Sequence, residues 1–428
     1  MRVLMLTWEY PPASVGGLGN HVCQLSKAMD DSVFLDVITV AGEDLPLEED
    51  FKNVTVYRVP EFPVNTPDFS TWVMQVNMAL LEKAIELGRT HNYDLVHAHD
   101  WLVAYASRVL KSTLDLPLVA TIHATEAGRN QGLHNSLQNF INSVEWWLTY
   151  EAWRVIVCSS HMRQEVKSQF QLPEDKIHVI PNGINPSEFQ FKQKANKPDN
   201  KNPLIFFVGR LVREKGAQVL LEAFPRILRH YPNARLVIAG KGPMRDQLIS
   251  MAGQLGVKGN VDFPGFVDDE TRNKFYHGAK VAVFPSLYEP FGIVALEGMA
   301  AGTAVVASDT GGLGEIITHG VNGLKAYPGN PNSLADNIIA LLRDENLAAT
   351  ITTNAKRLIE EKYGWESIAK NTLNVYQEVL RSKNEIGFTP VEPERAPLQQ
   401  CLGSYELRSS LMAQRVKSRK GKSILCKE

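Results

Sequence analysis

Short apolar runs alternate along the chain with longer segments in which apolar residues recur every three or four positions. Runs such as residues 3–6, 33–40 and 54–59 are typical of buried strands. Segments such as residues 73–88 are typical of helices with one buried face. Because strands and helices alternate in this way, the pattern predicts an α/β fold in which parallel sheets are covered by helices.

The alternation occurs twice, in two halves separated by a polar segment. Residues 190–203 are rich in Lys, Asn and Pro and contain almost no apolar residue, as is typical of a linker. We therefore predict two Rossmann-like domains, residues 1–190 and 203–364, whose strand-end loops face each other across a deep cleft. A helical pattern follows at 365–382. Residues 384–428 are rich in Pro and then in Lys and Arg, and we expect a disordered tail there.

Composition narrows the class of protein. The chain has 428 residues, of which 44% are hydrophobic and 21% charged, as in globular proteins. A net charge of −2 gives no support to a nucleic-acid partner. No apolar run approaches the ~20 residues of a membrane span. The cysteines contain no Cys-x-x-Cys pair, which disfavours a zinc ribbon or disulfide framework and predicts a cytoplasmic protein: Cys23, Cys158, Cys401 and Cys426.

Two glutamates flank a predicted strand-to-helix turn in the second half. An apolar run at 281–284 precedes a Pro-containing turn with Glu289, and a helix pattern from Gly292 carries Glu297. The N–H groups at such a helix start favour anions, and carboxylates beside it can accept hydrogen bonds from sugar hydroxyls. A lone Glu there is more simply a solvated residue, but apolar neighbours surround Glu297.

Two glycine turns are candidate phosphate sites, because glycine lets backbone N–H groups approach a ligand closely. The first includes Gly16 and Gly17, and the second Gly311 and Gly312. The first turn is not a complete dinucleotide fingerprint, since position 22 is Val rather than Gly. On the residues alone, a purely structural turn explains it equally well.

Two cations occupy a further strand-to-helix turn. Arg210 and Lys215 follow the apolar run at 204–208, in a place where cations can bind a diphosphate. The segment is not a Walker loop, because Lys precedes Gly and no Ser or Thr follows. Solvated loop charges are the simpler alternative.

Histidines and an aspartate close two strands of the first half. His97 and His99 share a strand face, but with no third ligand nearby in sequence we favour core packing or substrate contact over a metal. Asp100 follows directly. His123 follows the strand at 117–122, at the edge where open α/β sheets bind ligands, although an isolated His there is more often structural.

Two later segments have less specific patterns. Residues 125–134 are polar and interrupted by glycine, which predicts an acceptor-side loop or an ordered surface loop. The aromatic residues 145–150 continue on a helix and are predicted to be core.

The stretch around Glu289 resembles the Glu-x7-Glu motif of retaining GT-B glycosyltransferases of family GT4, and most of all that of glycogen and starch synthases. Further likeness lies in the Gly-Gly-Leu, His-Asp-Trp, Thr-Ile-His and Gly-Arg-x5-Gly segments at 16–18, 99–101, 121–123 and 209–216. The resemblance covers about residues 1–380. Ser14 stands where starch synthases usually carry Lys, which favours the broader GT4 family.

This resemblance implies a GT-B fold whose last helix, 365–382, returns to the first domain, and it implies a retaining hexosyltransferase. We expect transfer of glucose from ADP- or UDP-glucose to an α-1,4-glucan. The alternative is transfer of glucose, mannose or N-acetylglucosamine to a lipid or small molecule. A non-catalytic nucleotide-sugar sensor is disfavoured, since Glu289, Arg210 and Lys215 are all present. No cofactor or metal is expected, because cations and helix N–H groups can neutralise the leaving diphosphate.

The resemblance also implies roles for individual residues. His123 is expected to bind the donor sugar near the reacting carbon, Glu289 the donor sugar, and Glu297 the ribose. The implied catalytic residues are His123, Arg210, Lys215, Glu289 and Asp100. The implied donor-binding residues are Gly16, Gly17, Phe291, Gly292, Ile293, Val294, Glu297, Gly311 and Gly312.

Overall fold

The structure, a computed structural model, describes residues 1–14, 16–189 and 202–386. The strands of these parts are β1 Arg2–Leu6, β2 Phe34–Val40, β3 Glu48–Phe51, β4 Val54–Val59, β5 Leu95–His99, β6 Leu118–Ile122, β7 Arg154–Val157, β8 Ile177–Val179, β9 Leu204–Val208, β10 Arg235–Ala239, β11 Val261–Gly265, β12 Val281–Phe284, β13 Ala304–Ser308 and β14 Leu324–Ala326.

The helices alternate with these strands. They are α1 Gly17–Ala28, α2 Phe69–Gly88, α3 Ala104–Thr113, α4 Glu126–Asn130, α5 Ser136–Glu151, α6 Ser160–Phe170, α7 Ala217–His230, α8 Arg245–Gln254, α9 Asp269–Gly278, α10 Ile293–Ala300, α11 Gly311–Ile316, α12 Pro331–Arg343, α13 Glu345–Lys362 and α14 Trp365–Ile386. The predicted α/β class is confirmed. No helix in the described ranges is both long and apolar enough to cross a membrane.

The first sheet has eight strands in the order β3-β4-β2-β1-β5-β6-β7-β8. All its pairs are parallel except β3 with β4. Its central strands are buried on both faces, as parallel sheets require, and this is why they appear in the sequence as continuous apolar runs. The strand order reverses direction between β1 and β5. The crevice of this sheet therefore lies at the carboxyl ends of those two strands.

The second sheet has six parallel strands in the order β11-β10-β9-β12-β13-β14. Its order reverses direction between β9 and β12. The loop after β9 carries Arg210 and Lys215, and the loop after β12 carries Glu289. The topology thus brings these two predicted segments to one crevice.

The sequence pattern missed three strands, and each of them is an edge strand of its sheet. β3 has the acidic sequence Glu-Glu-Asp-Phe, β11 contains Pro264, and β14 has three residues. Edge strands are commonly short or carry charges and proline, which prevents pairing with other chains. They therefore lack the continuous apolar run by which the central strands were found.

Contacts group Met1–Leu380 into one unit and Arg381–Glu428 into a second. In the first unit, the start of α14 packs into the core of the first sheet through buried residues such as Ile368 and Tyr376. In the second unit, residues 381–386 are described and are helical. The predicted tail beyond residue 386 and most of the predicted linker, 190–201, lie outside the described residues.

The prediction that residues 145–150 are core was wrong for two of the aromatic side chains. Trp146 is 45% exposed and Tyr150 is 64% exposed. Their rings stack at 5.5 Å on the outer face of α5. The helix face that packs on the core carries Ile141, Glu145 and Leu148, because residues three or four apart share a helix face. The predicted loop at 125–134 includes the short helix α4, which Thr125 caps.

Candidate active site

A buried ion pair joins two loops of the second sheet. The Lys215 Nζ lies 2.6 Å from the Glu289 Oε2, and the Ser286 hydroxyl donates to the same oxygen at 3.0 Å. Glu289 is buried, and the Lys215 side chain is 22% exposed. A buried carboxylate is tolerated only where it is paired and hydrogen-bonded, as it is here. The fold therefore brings together two residues that the sequence named separately.

Gly216 fixes the approach of the two loops that carry this pair. Its backbone is left-handed, with φ +72°, and a Cβ built on it would lie 1.9 Å from the Pro285 carbonyl oxygen. The Leu287 N–H donates to the Glu214 carbonyl at 2.7 Å. Only glycine permits this backbone conformation and this separation together. The loop after β9 is thus held directly against the loop after β12.

The glycine turn at the start of α11 packs on the backbone around Glu289. A Cβ on Gly311 would lie 2.0 Å from the Glu289 carbonyl oxygen, and one on Gly312 would lie 2.4 Å from the Phe291 Cα. The Gly312 N–H donates to the Glu289 carbonyl at 2.9 Å. That N–H, one of the groups expected to face phosphate, therefore supports Glu289 instead.

The first glycine turn faces the start of α10. Gly292 precedes α10 with a φ of +109°, and the first helical residue is Ile293, followed by Val294. A Cβ on Gly17 would lie 3.4 Å from the Ile293 Cδ1. Gly16 is the N-cap residue that precedes α1, and it makes no side-chain capping hydrogen bond. The donor-side residues predicted in the two halves thus lie in contact.

A buried glutamate that the sequence did not single out holds the first glycine turn. The Glu9 Oε1 accepts the Gly19 N–H at 2.8 Å, in the first turn of α1. Glu9 is 2% exposed. A carboxylate at a helix start stabilises the helix through its free N–H groups. Glu9 therefore positions the loop that contains Gly16 and Gly17.

Glu297 has contacts separate from those of Glu289. The Tyr276 hydroxyl donates to the Glu297 Oε2 at 3.0 Å, and the Arg272 Nε lies 3.7 Å from the same oxygen. Burial raises the pKa of the Glu297 carboxyl, while Arg272 and Tyr276 oppose the rise. Arg210 also lies apart from Glu289: its half-exposed guanidinium is 3.3 Å from Glu214.

Asp100 and His123 lie side by side at the carboxyl edge of the first sheet. The Asp100 Oδ1 accepts the His123 backbone N–H at 2.7 Å. Asp100 has a φ of +60°, and its burial raises its pKa to about 6. Cys158 separates this pair from the second-sheet loops, with its Sγ 4.0 Å from the His123 carbonyl and 3.5 Å from that of Pro290. No sequence pattern indicated a role for Cys158 at this place.

The three histidines of the first sheet edge differ in their contacts. His97 is a core residue, since its ring nitrogens bond Tyr376 and Thr121 at 2.7 and 2.8 Å. The His99 Nδ1 lies 3.1 Å from the His123 Nε2. Burial lowers the pKa of His123 to about 3 and that of His99 well below its ordinary value.

His21 joins His99 and His123, although sequence reasoning passed over it. Its ring centre lies 4.8 Å from that of His123. Burial lowers the pKa of His21 well below its ordinary value. The available signal was its position one turn into α1, the helix that begins at the same sheet edge.

A second group of unpredicted contacts joins the halves. Tyr288 donates its hydroxyl to the Glu165 Oε1 at 2.9 Å, and the Ser159 hydroxyl donates to the Pro290 carbonyl at 2.7 Å. Glu315 accepts the first N–H groups of α6, from Ser160 and His161, at 2.9 and 2.6 Å. Ser159 also caps α6, since its hydroxyl accepts the Met162 N–H at 3.1 Å.

Two family descriptions match adjoining parts of this chain. Residues 15–188 match the family described as Glycosyltransferase Family 4. Residues 188–358 match the family described as Glycosyl transferases group 1. The matched ranges meet at residue 188, just before the predicted linker.

Curated relatives are similar over nearly the whole chain. A glycosyltransferase of Methanocaldococcus jannaschii named as uncharacterized is 45% identical, over 88% of this chain and 98% of its own length. A glycogen synthase of Mycobacterium tuberculosis is 35% identical, over 90% of this chain and 96% of its own length. Among solved structures, sucrose-phosphate synthase from Thermosynechococcus elongatus is similar in fold, with a TM-score of 0.79 and 24% identity, over 89% of this chain and 99% of that one.

Proposed function

The chain belongs to the GT-B glycosyltransferases of family 4, and from this premise we propose that it transfers glucose, with retention, from ADP- or UDP-glucose to an α-1,4-glucan. The family establishes a hexosyltransferase. The donor, the acceptor and the stereochemistry are our proposal.

One observation carries the proposal: the buried pair of Lys215 and Glu289 in the crevice of the second sheet. The pair consists of a cation and the carboxylate to which we assign the donor sugar, and it lies at the carboxyl ends of β9 and β12, where open α/β sheets bind nucleotides. A donor that bound there would present its diphosphate to Lys215 and its hydroxyls to Glu289. Their pairing holds both side chains in place.

We assign the leaving diphosphate to Lys215, Arg210 and the helix N–H groups beside the glycine turns, apart from those of Gly19 and Gly312, which already donate within the protein. These groups stabilise the charge that develops as the sugar–phosphate bond breaks, and removal of one such donor typically lowers turnover by ~10²–10³. Arg210 is free to swing from Glu214 towards phosphate, because half of its side chain is exposed. In this scheme His123 orients the sugar, and turnover requires no metal.

The glucan acceptor is supported by the similarity to a glycogen synthase along nine-tenths of the chain. The first-sheet edge supplies Asp100, which is held 2.7 Å from the His123 N–H, as the group nearest the incoming hydroxyl. Burial raises the pKa of Asp100 to about 6, so the carboxyl can carry a proton near neutral pH.

The test is a donor and acceptor panel on the purified full-length chain. ADP-glucose, UDP-glucose, UDP-N-acetylglucosamine and GDP-mannose are each incubated with oligomaltose, glucose 1-phosphate or a lipid acceptor, and nucleotide release and product mass are measured. We expect glucose transfer to oligomaltose, with an α-anomeric proton in the product by NMR. Glu289→Gln serves as the inactive control. Transfer to lipid or glucose 1-phosphate alone, or a β-linked product, contradicts the proposal.

A further inference from the structure

Three histidines from three elements share one buried place at the edge of the first sheet. His21 lies in α1, His99 ends β5 and His123 follows β6. Each offers one ring nitrogen so that the three nitrogens lie within 4.8 Å of one another. Neither the glycine turn nor the Lys215–Glu289 pair uses these nitrogens. The cluster is therefore a candidate metal site of three imidazoles.

The hydrogen bonding of the cluster is incomplete. Within the described ranges the buried His99 Nε2 has no hydrogen-bond partner, and the buried His21 Nδ1 has none at full hydrogen-bond geometry, although the Asn182 side chain lies close enough to interact with the His21 ring. His21 is 5% exposed and His99 is 0% exposed. A buried polar group left without a partner destabilises the fold, and in a native structure it requires an explanation such as a bound ion. An ion on the His21 Nδ1 would remove the share of that cost that belongs to His21, whereas the His99 Nε2 lies on the far side of its ring from the Nδ1 that faces His123.

The neighbouring His97 shows the contrast. Its ring centre lies 4.2 Å from that of His99. Both of its nitrogens are occupied, by the Tyr376 hydroxyl and by the Thr121 hydroxyl. His97 therefore cannot coordinate an ion without losing two hydrogen bonds. Of the four histidines at this edge, the other three can offer a nitrogen to an ion, at the loss of the one hydrogen bond between the His99 Nδ1 and the His123 Nε2.

The donor set selects a class of ion. Imidazole nitrogen suits Zn²⁺, Co²⁺, Ni²⁺ and Cu²⁺, whereas Mg²⁺ and Ca²⁺ take oxygen. A tetrahedral Zn²⁺ with Zn–N distances of about 2.05 Å places its nitrogens about 3.4 Å apart. The His99 Nδ1 and the His123 Nε2 are already 3.1 Å apart. The widest nitrogen separation must close by about 1.4 Å, which rotation of a ring can supply.

We propose that His21, His99 and His123 bind one late first-row divalent ion of the Zn²⁺ type, with the fourth position left to water. The ion occupies the ring nitrogen of His123, the residue to which we assign the donor sugar. Metal and donor therefore exclude each other, and the site inhibits transfer. This inhibition rests on the proposed function, whereas the binding does not.

Binding is tested on the untagged full-length chain with Co²⁺ as the spectroscopic probe and Zn²⁺ as the competitor. Tetrahedral Co²⁺ absorbs visible light far more strongly than hydrated Co²⁺. We expect one tetrahedral Co²⁺ per chain, displaced by one Zn²⁺ in calorimetry. His21→Gln and His99→Gln are each expected to weaken binding at least about 100-fold, beyond the 10–100-fold typical of an outer partner. His230→Gln, an exposed histidine ending α7, is the matched control and should bind like the wild type.

Circular dichroism checks that each variant is folded. If the His99→Gln variant does not fold, the His21→Gln variant alone decides the result. A spectrum of hydrated Co²⁺ alone overturns the proposal. Equal Co²⁺ affinity of the wild type and a folded His21→Gln variant overturns it as well. Zn²⁺ should then inhibit transfer competitively with the nucleotide sugar. Binding without inhibition overturns the inhibitory role. Tight binding by a chain that transfers no sugar refutes the proposed function and leaves the metal site standing.

Discussion

Lys215 and Glu289 show how a buried charge is kept at the candidate site. Among the described residues, one ammonium and one hydroxyl bond the Glu289 carboxylate, so removal of Lys215 leaves a buried charge with Ser286 as its one partner there. Loss of a partner from a buried pair is costly, whereas exposed pairs contribute little.

We expect Lys215→Ala to lower turnover by about 10²–10³ while the chain remains folded, because the leaving diphosphate loses a positioned cation. The measurement is steady-state nucleotide release, with circular dichroism on the same sample. The matched control is Lys274→Ala, an exposed lysine of α9 paired with Glu270. Near-normal turnover by a folded Lys215→Ala protein would refute the assignment.

Glu145 is a second buried carboxyl, and it has no ion pair at hydrogen-bond distance in the part of the chain that the structure describes. It is 1% exposed and accepts the Glu126 N–H at 2.9 Å. Burial raises its pKa to about 9, with Arg129 opposing the rise. The folded chain therefore keeps a proton that the unfolded chain loses near its ordinary value of 4.5. The free energy of unfolding must fall as the pH rises between these two values.

We expect Glu145→Gln to be more stable than the wild type at pH 8 by about 1–3 kcal/mol, and nearly equal to it at pH 5. Glutamine cannot ionise but still accepts the Glu126 N–H. Urea unfolding at both pH values measures the difference. Glu86→Gln, at an exposed position of α2, is the control and should show little change at either pH. A stability difference that does not vary with pH would contradict the raised pKa.

At the scale of elements, the loops after β9 and β12 are held together by glycine. We expect Gly216→Ala to cost about 1–3 kcal/mol of stability, because alanine strains the left-handed backbone and its Cβ meets the Pro285 carbonyl. Turnover should fall as well, since the adjacent Lys215 moves relative to Glu289. Thermal melting and nucleotide release measure the two effects.

The matched control lies within the same half of the chain. A Cβ on Gly253, in α8, would meet nothing within 4 Å. Gly253→Ala should therefore be neutral or stabilise by up to about 1 kcal/mol, as in other helices. Equal melting temperatures for the Gly216 and Gly253 variants would show that the close approach to Pro285 is unimportant.

At the scale of the whole molecule, hydrogen bonds between loops join the two sheets, beside a hydrophobic cluster that includes residues of both. Glu315 accepts two N–H groups at the start of α6, and Tyr288 reaches Glu165. Glu315 thus acts as a helix cap supplied from the other half of the chain, and a cap contributes typically about 1 kcal/mol. Contacts that contribute this little free energy can break and form again. We infer that donor binding favours the closed arrangement, in which these contacts between the two sheets are formed.

We expect Glu315→Ala to increase the radius of gyration of the free protein, and nucleoside diphosphate to reduce it again. Small-angle scattering measures both states. Glu82→Ala, at an exposed position of α2, is the control and should scatter like the wild type. Identical curves for wild type and Glu315→Ala, with and without nucleotide, would argue against closure through this contact.

The sequence by itself determined the elements and the chemistry carried by single segments. Continuous apolar runs identified the central strands, and the glycine, histidine and glutamate segments identified the family. These features are local: burial on both faces of a strand, or a backbone that only glycine permits, leaves its mark within a few residues.

Only the tertiary structure decided which of these segments meet. Lys215 and Glu289 are 74 positions apart, and strand order places them in one crevice. His21 joins His99 and His123 because α1, β5 and β6 share a sheet edge, and no local pattern records that order. On α5, the orientation of the helix about its axis places the Glu145 side chain in the interior and the Trp146 side chain at the surface. Contacts between distant segments depend on how whole elements pack, so periodicity within a segment cannot predict them.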